Sequence, residues 1–290
     1  MPSPLAAQGF EAISLLGDTL RPAPLPDATR VTYEARLDSA RRAVAANPAD
    51  PEALIWLGRR TAYLGRYRDA IEIFSRGVAR WPDDARFYRH RGHRYLTLRR
   101  FQDAARDFER AARLVRGQPD VVEPDGLPNA RGIPTSTLQF NIYYHLGLAH
   151  YLLGNYRQAR EAYERCLGVS LNHDAQVATR YWSYLTLRRL GRANEARELI
   201  DGVTADIDII ENRSYHRLLL VFKGDLPPDS VMFVDQGTDG ATIGYGLAAW
   251  MAAQGNREQS EYFLRRARAG NQWAAFGYIA AETDLARNRR

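Results

Sequence analysis

A period of 34 residues is the feature of this 290-residue chain that most constrains its fold. Four pairs of similar residues share that spacing: Gly58 and Gly92, Tyr67 and Phe101, Ala70 and Ala104, and Phe74 and Phe108. Recurrence at a period of a few tens of residues indicates repeated supersecondary units. Because one such unit cannot bury its apolar face alone, neighbouring units must stack. We expect the small residues to let helices approach closely and the large ones to fill the space between them.

The residues within one period resemble the tetratricopeptide repeat (TPR) family. The first unit, from Pro51, reads PEALIWLGRRTAYLGRYRDAIEIFSRGVARWPDD. Its family positions are Leu57-Gly58, Gly65-Arg66-Tyr67, Ala70, Phe74 and Pro82. Similar patterns follow from Ala85, from Leu146 and from Tyr184. The resemblance implies paired antiparallel helices, an all-α fold and a right-handed α-solenoid with one long loop between repeats.

The remaining segments complete a predicted organisation as one continuous solenoid domain. Its parts are an extended N-terminal segment (1–30), an N-terminal helix with repeats one and two (31–118), an insertion loop (117–135), repeats three and four (136–207), and degenerate repeats with a C-terminal capping helix (208–290). Three prolines, Pro22, Pro24 and Pro26, favour the extended start. The Pro227-Pro228 pair ends the first degenerate unit early, because proline cannot continue a helix interior.

The insertion, residues 117–135, contains four prolines and no apolar periodicity. A structureless segment of this length is usually either functional or a solvated loop. Two interpretations therefore remain: the segment is solvated, or it folds over the concave side and forms a wall of the groove. Ser136 or Thr137 is then expected to cap the next helix. Strings such as GLPNARGIPTSTLQFNIYYHLGLAHY are similar to a group of bacterial TPR proteins of unknown activity, which implies no function.

The family resemblance implies a partner-binding groove lined by the first helix of each repeat. Carried over to this sequence, the groove residues are Arg59, Tyr63, Arg86, Arg89, His93, Asn141, Tyr144, Tyr151, Tyr181 and Arg188. Arginine and tyrosine are enriched at binding hot spots. The pattern predicts a protein-interaction module or scaffold whose partner is an acidic or aromatic-bearing peptide or protein. In the alternative interpretation, some of the tyrosines belong to the core.

Charge is concentrated on the first two repeats. Residues 51–118 hold 16 arginines against 8 acidic residues, whereas the whole chain has a net charge of +6. This excess supports an acidic partner and leaves a second interpretation, a helical-repeat protein that binds nucleic acid through these arginines. The second is less favoured, because the tyrosines that would stack on bases lie away from most of the charge. The chaperone-binding members of the family use a lysine and asparagine pattern, from which Ile55, Arg59, Arg89 and His93 depart.

Catalytic motifs are missing from the sequence. It contains no HExxH or Gly-x-Ser-x-Gly string and no phosphate-binding glycine loop. The single cysteine, Cys166, occupies a small core position and cannot form a disulfide within the chain. His90 and His93 can share a helix face, but zinc catalysis needs three converging ligands. We expect no enzyme activity, no catalytic residue, no metal and no cofactor; the remaining alternative is an enzyme or metal site beneath the insertion.

Targeting features are few. No run approaches the 18 apolar residues that a membrane span requires. Residues 1–8 lack a basic region and a long apolar core, although Pro4 to Gln8 resembles the remnant of a signal peptide. Cytoplasm and periplasm therefore both remain open as compartments.

Overall fold

The computed structural model describes residues 9–232 and 237–289. The chain divides into two compact units, Met1–Pro119 and Asp120–Arg290. In both units the described elements are almost entirely helices that pack in sequence order, so the predicted all-α repeat fold is confirmed. No described helix is long and apolar enough to cross a membrane. The predicted signal-peptide remnant at residues 1–8 lies outside the described residues.

The first unit is built from two helical hairpins that follow a long N-terminal helix. Its helices are α1 (Asp27–Ala46), α2 (Pro51–Tyr63), α3 (Tyr67–Arg80), α4 (Ala85–Thr97) and α5 (Phe101–Leu114). Helices α2 and α3 form the first hairpin, α4 and α5 the second, and α3 packs on α4. Asp50 and Asp84 cap α2 and α4, because each carboxylate accepts a hydrogen bond from the backbone N–H two residues later.

A glycine faces an aromatic ring inside each regular hairpin. A Cβ atom on Gly58 would lie 2.4 Å from Cε1 of Phe74, and one on Gly92 would lie 2.9 Å from Cζ of Phe108. Both rings are fully buried. The predicted role of the repeated small and large residues is therefore confirmed: the small residue makes room for the ring of the second helix.

The turns between paired helices require left-handed backbone. Gly65 has φ +74°, a conformation that glycine adopts without a steric penalty. At the equivalent position of the next repeat, 34 residues later, Arg99 takes φ 63°. The repeat geometry thus imposes the turn even where the sequence supplies a residue that disfavours it.

The N-terminal segment differs from the extended chain expected over residues 1–30. It forms a short antiparallel hairpin, β1 (Ala12–Ile13) paired with β2 (Thr19–Leu20). The Glu11 carboxylate accepts a hydrogen bond from the backbone N–H of Arg68 at 2.9 Å. This contact satisfies an unpaired donor at the start of α3 and fixes the hairpin to the first repeat. Helix α1 begins at Asp27, directly after Pro26. Proline disfavours helical conformation in the residue before it, so a helix can begin on its C-terminal side.

The second unit contains further hairpins and a final helix. Its helices are α6 (Leu138–Leu153), α7 (Tyr156–Gly168), α8 (His173–Arg189), α9 (Ala193–Ile200), α10 (Arg213–Lys223), α11 (Gly237–Ala253), α12 (Arg257–Ala267) and α13 (Phe276–Asn288). A short 3-10 turn, Pro228–Ser230, follows α10 where the sequence predicts a break. Helix α13 packs against both α11 and α12. Gly277 permits this approach, since a Cβ atom there would lie 2.3 Å from the carbonyl oxygen of Ala241.

Within the second unit, the insertion residues 120–135 run along the N-terminal ends of α6, α8 and α10. Asp120 accepts hydrogen bonds from the Thr137 hydroxyl and the Gln139 backbone at 2.5 and 2.9 Å. The Thr137 hydroxyl accepts in turn from the backbone N–H of Phe140 and caps α6. Farther along, Arg131 forms an ion pair with Asp208 at 2.7 Å. The segment is therefore anchored at both ends.

Candidate partner-binding site

Helix α2 carries Arg59 and Tyr63, the first two residues that the family resemblance assigns to the groove. The Arg59 guanidinium lies 4.3 Å from the centroid of the Trp56 ring, which is cation–π distance. Its Nη2 also lies 3.4 Å from the Tyr63 hydroxyl oxygen. Both predicted residues are half-buried. The arginine is thus held against aromatic surface while its charge stays accessible.

Helix α4 contributes Arg86, whose charge is already compensated. Its guanidinium forms ion pairs with Glu52 at 2.7 Å and with Asp84 at 2.6 Å. The hydrogen bonds to Asp84 are the main reason that the pKa of Arg86 is raised. Arg86 therefore ties the starts of α2 and α4 together, which leaves it less available to a partner than the sequence predicts. His93, another predicted residue on this helix, is half-buried.

His90 is buried next to the predicted groove residue Arg89, although it was not itself among the predicted groove residues. Its ring stacks on Phe74 at a centroid distance of 5.4 Å. The Nη1 atom of Arg89 lies 3.1 Å from its Nδ1. Burial lowers the pKa of His90 well below its ordinary value, and the nearby positive charges lower it further. These charges belong to Arg89, Arg59, Arg94 and Arg86. The imidazole is therefore neutral at pH 7 and is in direct contact with the Arg89 guanidinium.

Arg94 is a second residue that the sequence reasoning missed. Burial lowers its pKa to about 10, and it lies near Arg59, Arg89 and two tyrosines. Its guanidinium carbon lies 5.3 Å from the centroid of the Tyr67 ring. In the described part of the chain, neither Arg59 nor Arg94 has a carboxylate partner. Arg94 nevertheless remains protonated at neutral pH.

We name this group the arginine site and define it by Arg59, Arg89 and Arg94. Of the predicted groove residues of this unit, Arg59 and Tyr63 are in contact on α2, whereas Arg89, which contacts His90, lies on α4 with Arg94. Arg89 itself is only 8% exposed, whereas Arg59 and Arg94 are both half-buried. The missed signal was the sequence string Arg89-His90-Arg91-Gly92-His93-Arg94, whose first and last arginines lie five positions apart on α4.

Most of the predicted groove residues of the second unit lie in its interior. Asn141, Tyr144, Tyr151 and Tyr181 are all less than 9% exposed. Arg188 is half-buried and donates to the carbonyl oxygen of Ala253 at 2.9 Å. Burial raises the pKa of Tyr144 and Tyr181 well above the ordinary value. The sequence left two interpretations of these tyrosines open, as groove residues or as core residues. Their burial supports the assignment to the core.

The C-terminal helices explain this burial. The Phe276 ring on α13 lies 6.3 Å from the ring of Tyr144 and 5.4 Å from that of His145. Farther along α13, Arg287 donates to the carbonyl oxygen of Leu152 at 2.6 Å. The inner face of α6 is thus covered by this unit's own last helix. A cavity of about 600 Å³ lies between α8, α11, α12 and α13 and is lined by Arg189, Ala248, Ala252, Arg257, Leu264 and Asp284 among others.

Groups that could support catalysis are few in the described residues. Burial raises the pKa of Cys166 to about 12, and its Sγ lies 3.2 Å from the Thr179 hydroxyl oxygen. A thiol in that state is a poor nucleophile. Within residues 9–232 and 237–289, no group of three His, Cys, Asp or Glu side chains is placed to hold a metal ion.

Comparison with family models identifies one repeat directly. Residues 140–169 match the family model of the tetratricopeptide repeat. They comprise most of α6 together with α7, and the match confirms the resemblance predicted from the sequence. No curated protein matches the chain.

Several solved structures are similar to this chain. One is YrrB, a TPR protein with an unusual peptide-binding site, at 16% identity over 80% of this chain and 92% of that one, with a TM-score of 0.47. Another is MamA, at 18% identity over 70% of this chain and 100% of that one, with a TM-score of 0.46. A third is TTC0263, a thermophilic TPR protein of Thermus thermophilus, at 22% identity over 67% and 93%, with a TM-score of 0.47. These scores are too low to transfer a function.

Proposed function

We propose that this chain, which contains a tetratricopeptide repeat, is a protein-interaction module that binds an acidic segment of a partner protein at the arginine site. The observation that carries the proposal is the pair Arg59 and Arg94. Both are half-buried cations near aromatic rings, and neither has a carboxylate partner in the described residues. A cation removed from water without a counter-ion is unfavourable, so an incoming carboxylate gains a strong interaction there.

The charge distribution supports the same partner chemistry. Residues 1–119 hold 21 arginines against 14 acidic residues, whereas residues 120–290 hold 19 basic and 20 acidic residues. Within the first unit, the carboxylates pair with other arginines, such as Asp107 with Arg91 at 2.7 Å. The positive charge of Arg59 and Arg94 therefore has no carboxylate partner within the described residues. It would both attract an acidic segment and orient it.

The test is a titration of the full chain with a hexaglutamate peptide at low ionic strength, in which calorimetry measures the binding affinity. The variants are Arg59→Gln and Arg94→Gln, and the matched control is Arg113→Gln, an exposed arginine on α5. We expect at least a tenfold loss of affinity in each of the two variants and no change in the control. Equal affinity in all proteins would overturn the proposal, provided that circular dichroism shows unchanged helix content.

Salt dependence distinguishes this function from nucleic-acid binding. A short acidic peptide makes few ion pairs, so its affinity should fall only moderately as salt rises. Binding to a single-stranded oligonucleotide through many phosphates would fall steeply. An oligonucleotide that binds more tightly than the peptide at moderate salt, and loses affinity in the Arg59→Gln variant, would favour the alternative function.

A further inference from the structure

We propose that the insertion carries a second interaction surface, which binds an extended segment of a partner protein that is rich in basic and apolar residues. We name it the insertion surface and define it by Val121, Val122, Ile133 and Leu171. It belongs to the second unit, so the inference is independent of the arginine site and of the acidic partner proposed there. Exposed apolar side chains, an unpaired backbone edge and an excess of acidic residues together point to this partner chemistry.

The stretch 133–137 connects the residues of the insertion surface. Its first residue is one of the four, and its last residue forms an antiparallel bridge with Val122. Between them, the Thr135 carbonyl oxygen accepts a hydrogen bond at 3.0 Å from the side-chain amide of Asn172, the residue after Leu171. Even fully extended, a stretch of this length spans only about 14 Å. The four apolar residues therefore lie around one short piece of chain.

Apolar side chains are left in water at this surface. Val122 is 60% exposed and Leu171 is 81% exposed, and the other two residues are exposed as well. Single exposed apolar residues are common on protein surfaces, whereas several that lie close together are typical of an interaction site. The insertion surface therefore has the composition of a docking site rather than that of a solvated loop.

The backbone of Val122 provides an unpaired edge. In its bridge with Thr137 the two hydrogen bonds are made by the residues on either side, so the N–H and C=O of Val122 point away from that strand. Neither group has a hydrogen-bond partner among the described residues. An extended segment can therefore pair with Val122 through two backbone hydrogen bonds, as in β-strand addition. Pro124 has no N–H and limits the edge to this residue, so side chains must provide the rest of the contact.

The surrounding charge selects a basic partner. Residues 120–135 and 204–213 together contain six acidic residues and two arginines. The ion pair of Arg131 with Asp208 at 2.7 Å joins the two segments and neutralises one of the arginines. Asp125 is exposed and forms no ion pair within the part of the chain that the structure describes. Basic side chains of an incoming segment are therefore attracted to this surface, whereas acidic ones are repelled.

The experiment compares three eight-residue peptides by calorimetry with the full chain. The first peptide alternates lysine and valine, the second has glutamate in place of every lysine, and the third is the first with every backbone nitrogen methylated. The protein variants are Val122→Pro, which removes the N–H but suits extended backbone, and its matched control Val122→Ala, which keeps the N–H. Asp125→Asn removes an acidic group of the surface, and its control is Glu161→Gln, which changes an exposed acid on α7.

We expect the lysine–valine peptide to bind the native chain at least tenfold more tightly than either of the other two peptides. Val122→Pro should weaken this binding by about tenfold, and Val122→Ala should weaken it less. Asp125→Asn should also lower the affinity, whereas Glu161→Gln should leave it unchanged. Arg59→Gln should bind the lysine–valine peptide as tightly as the native chain does, which separates this surface from the arginine site.

Three results would overturn the proposal. If the methylated peptide binds as tightly as the lysine–valine peptide, no backbone pairing takes place. If the glutamate peptide binds as tightly, the charge of the surface does not select the partner. If no peptide binds, the surface has no affinity for an extended segment of this kind. These comparisons use the native chain and do not depend on the folding of any variant, and each leaves the hexaglutamate test of the arginine site unaffected.

Discussion

The hydroxyl oxygens of Tyr151 and Tyr245 lie 2.6 Å apart, although the two residues are 94 positions apart in the chain. The Tyr245 hydroxyl also donates to the Asp284 carboxylate at 3.2 Å, and that carboxylate accepts from Arg189. The network joins α6, α8, α11 and α13 of the second unit. Polar contacts therefore fix the C-terminal helices over the inner face, in addition to the aromatic packing around Phe276.

Removing the Tyr245 hydroxyl tests this network. In Tyr245→Phe the ring keeps its packing, but the Tyr151 hydroxyl and the Asp284 carboxylate each lose a buried hydrogen-bond partner. We expect the free energy of unfolding to fall by about 1 to 2 kcal/mol, measured by urea denaturation. The matched control is Tyr262→Phe, since Tyr262 is 53% exposed. Equal stability of both variants would show that the network contributes nothing.

The ion pair between Arg189 and Asp284 is the subject of a second prediction. Side-chain exposures are 31% for Arg189 and 9% for Asp284, so solvent screens the pair only in part. Asp284→Asn leaves the guanidinium without its anion, and we expect a loss of about 2 kcal/mol. The control Glu261→Gln breaks an exposed ion pair with Arg265 and should cost less than about 0.5 kcal/mol. A loss in the control as large as in Asp284→Asn would contradict the assignment.

Much of the fold could be predicted because the repeat encodes local packing. The spacing of Gly58 and Phe74 recurs in Gly92 and Phe108, and each pair meets as expected. The N-terminal hairpin could not be predicted, because its docking depends on Glu11 reaching Arg68, 57 positions away. No periodic pattern reports a single long-range contact of this kind.

The candidate site was predictable only where the family geometry applies. Arg59 and Arg89 were assigned from their repeat positions, but Tyr144, assigned in the same way, packs against Phe276 of α13. Tyr181, also assigned to the groove, packs against Tyr215 of α10. The spacing of residues in a repeat predicts which helix face points towards the groove. It does not predict whether a distant segment of the chain covers that face. The small residues Gly277, Ala280 and Ala281 on α13, all buried, were the signal for close helix packing there.

A third prediction concerns the space that the repeat glycines provide. In Gly58→Ala the new methyl would lie 2.4 Å from the Phe74 ring, and that ring is itself buried. Overpacking should lower the free energy of unfolding by about 1 to 3 kcal/mol. This loss should exceed the gain of up to about 1 kcal/mol that the higher helix propensity of alanine provides. We expect net destabilisation in thermal denaturation. The control is Gly168→Ala at the end of α7, where a Cβ would have nothing within 4 Å; this variant should be neutral or slightly more stable. If Gly58→Ala is as stable as the control, the helices are not held as close as the Phe74 contact requires.

A fourth prediction follows from the environment of His90. In the folded chain, burial and the charges of Arg89, Arg59, Arg94 and Arg86 lower its pKa well below 6.5, so the ring stays neutral as the pH falls. The unfolded chain has no such environment and binds a proton near pH 6.5. Because the unfolded state then holds more protons, stability falls as the pH falls below that value. Between pH 7.5 and 5.5 this single group should lower the free energy of unfolding by about 1 kcal/mol.

Urea denaturation of His90→Asn at the two pH values measures that contribution. The variant is expected to be less stable at both, since it loses the stacking on Phe74, but its stability should depend less on pH than that of the native protein. The control His173→Asn changes an exposed histidine and should keep the native pH dependence. If His90→Asn and the native protein lose equal stability between pH 7.5 and 5.5, then His90 is not held neutral by its burial and the neighbouring positive charges.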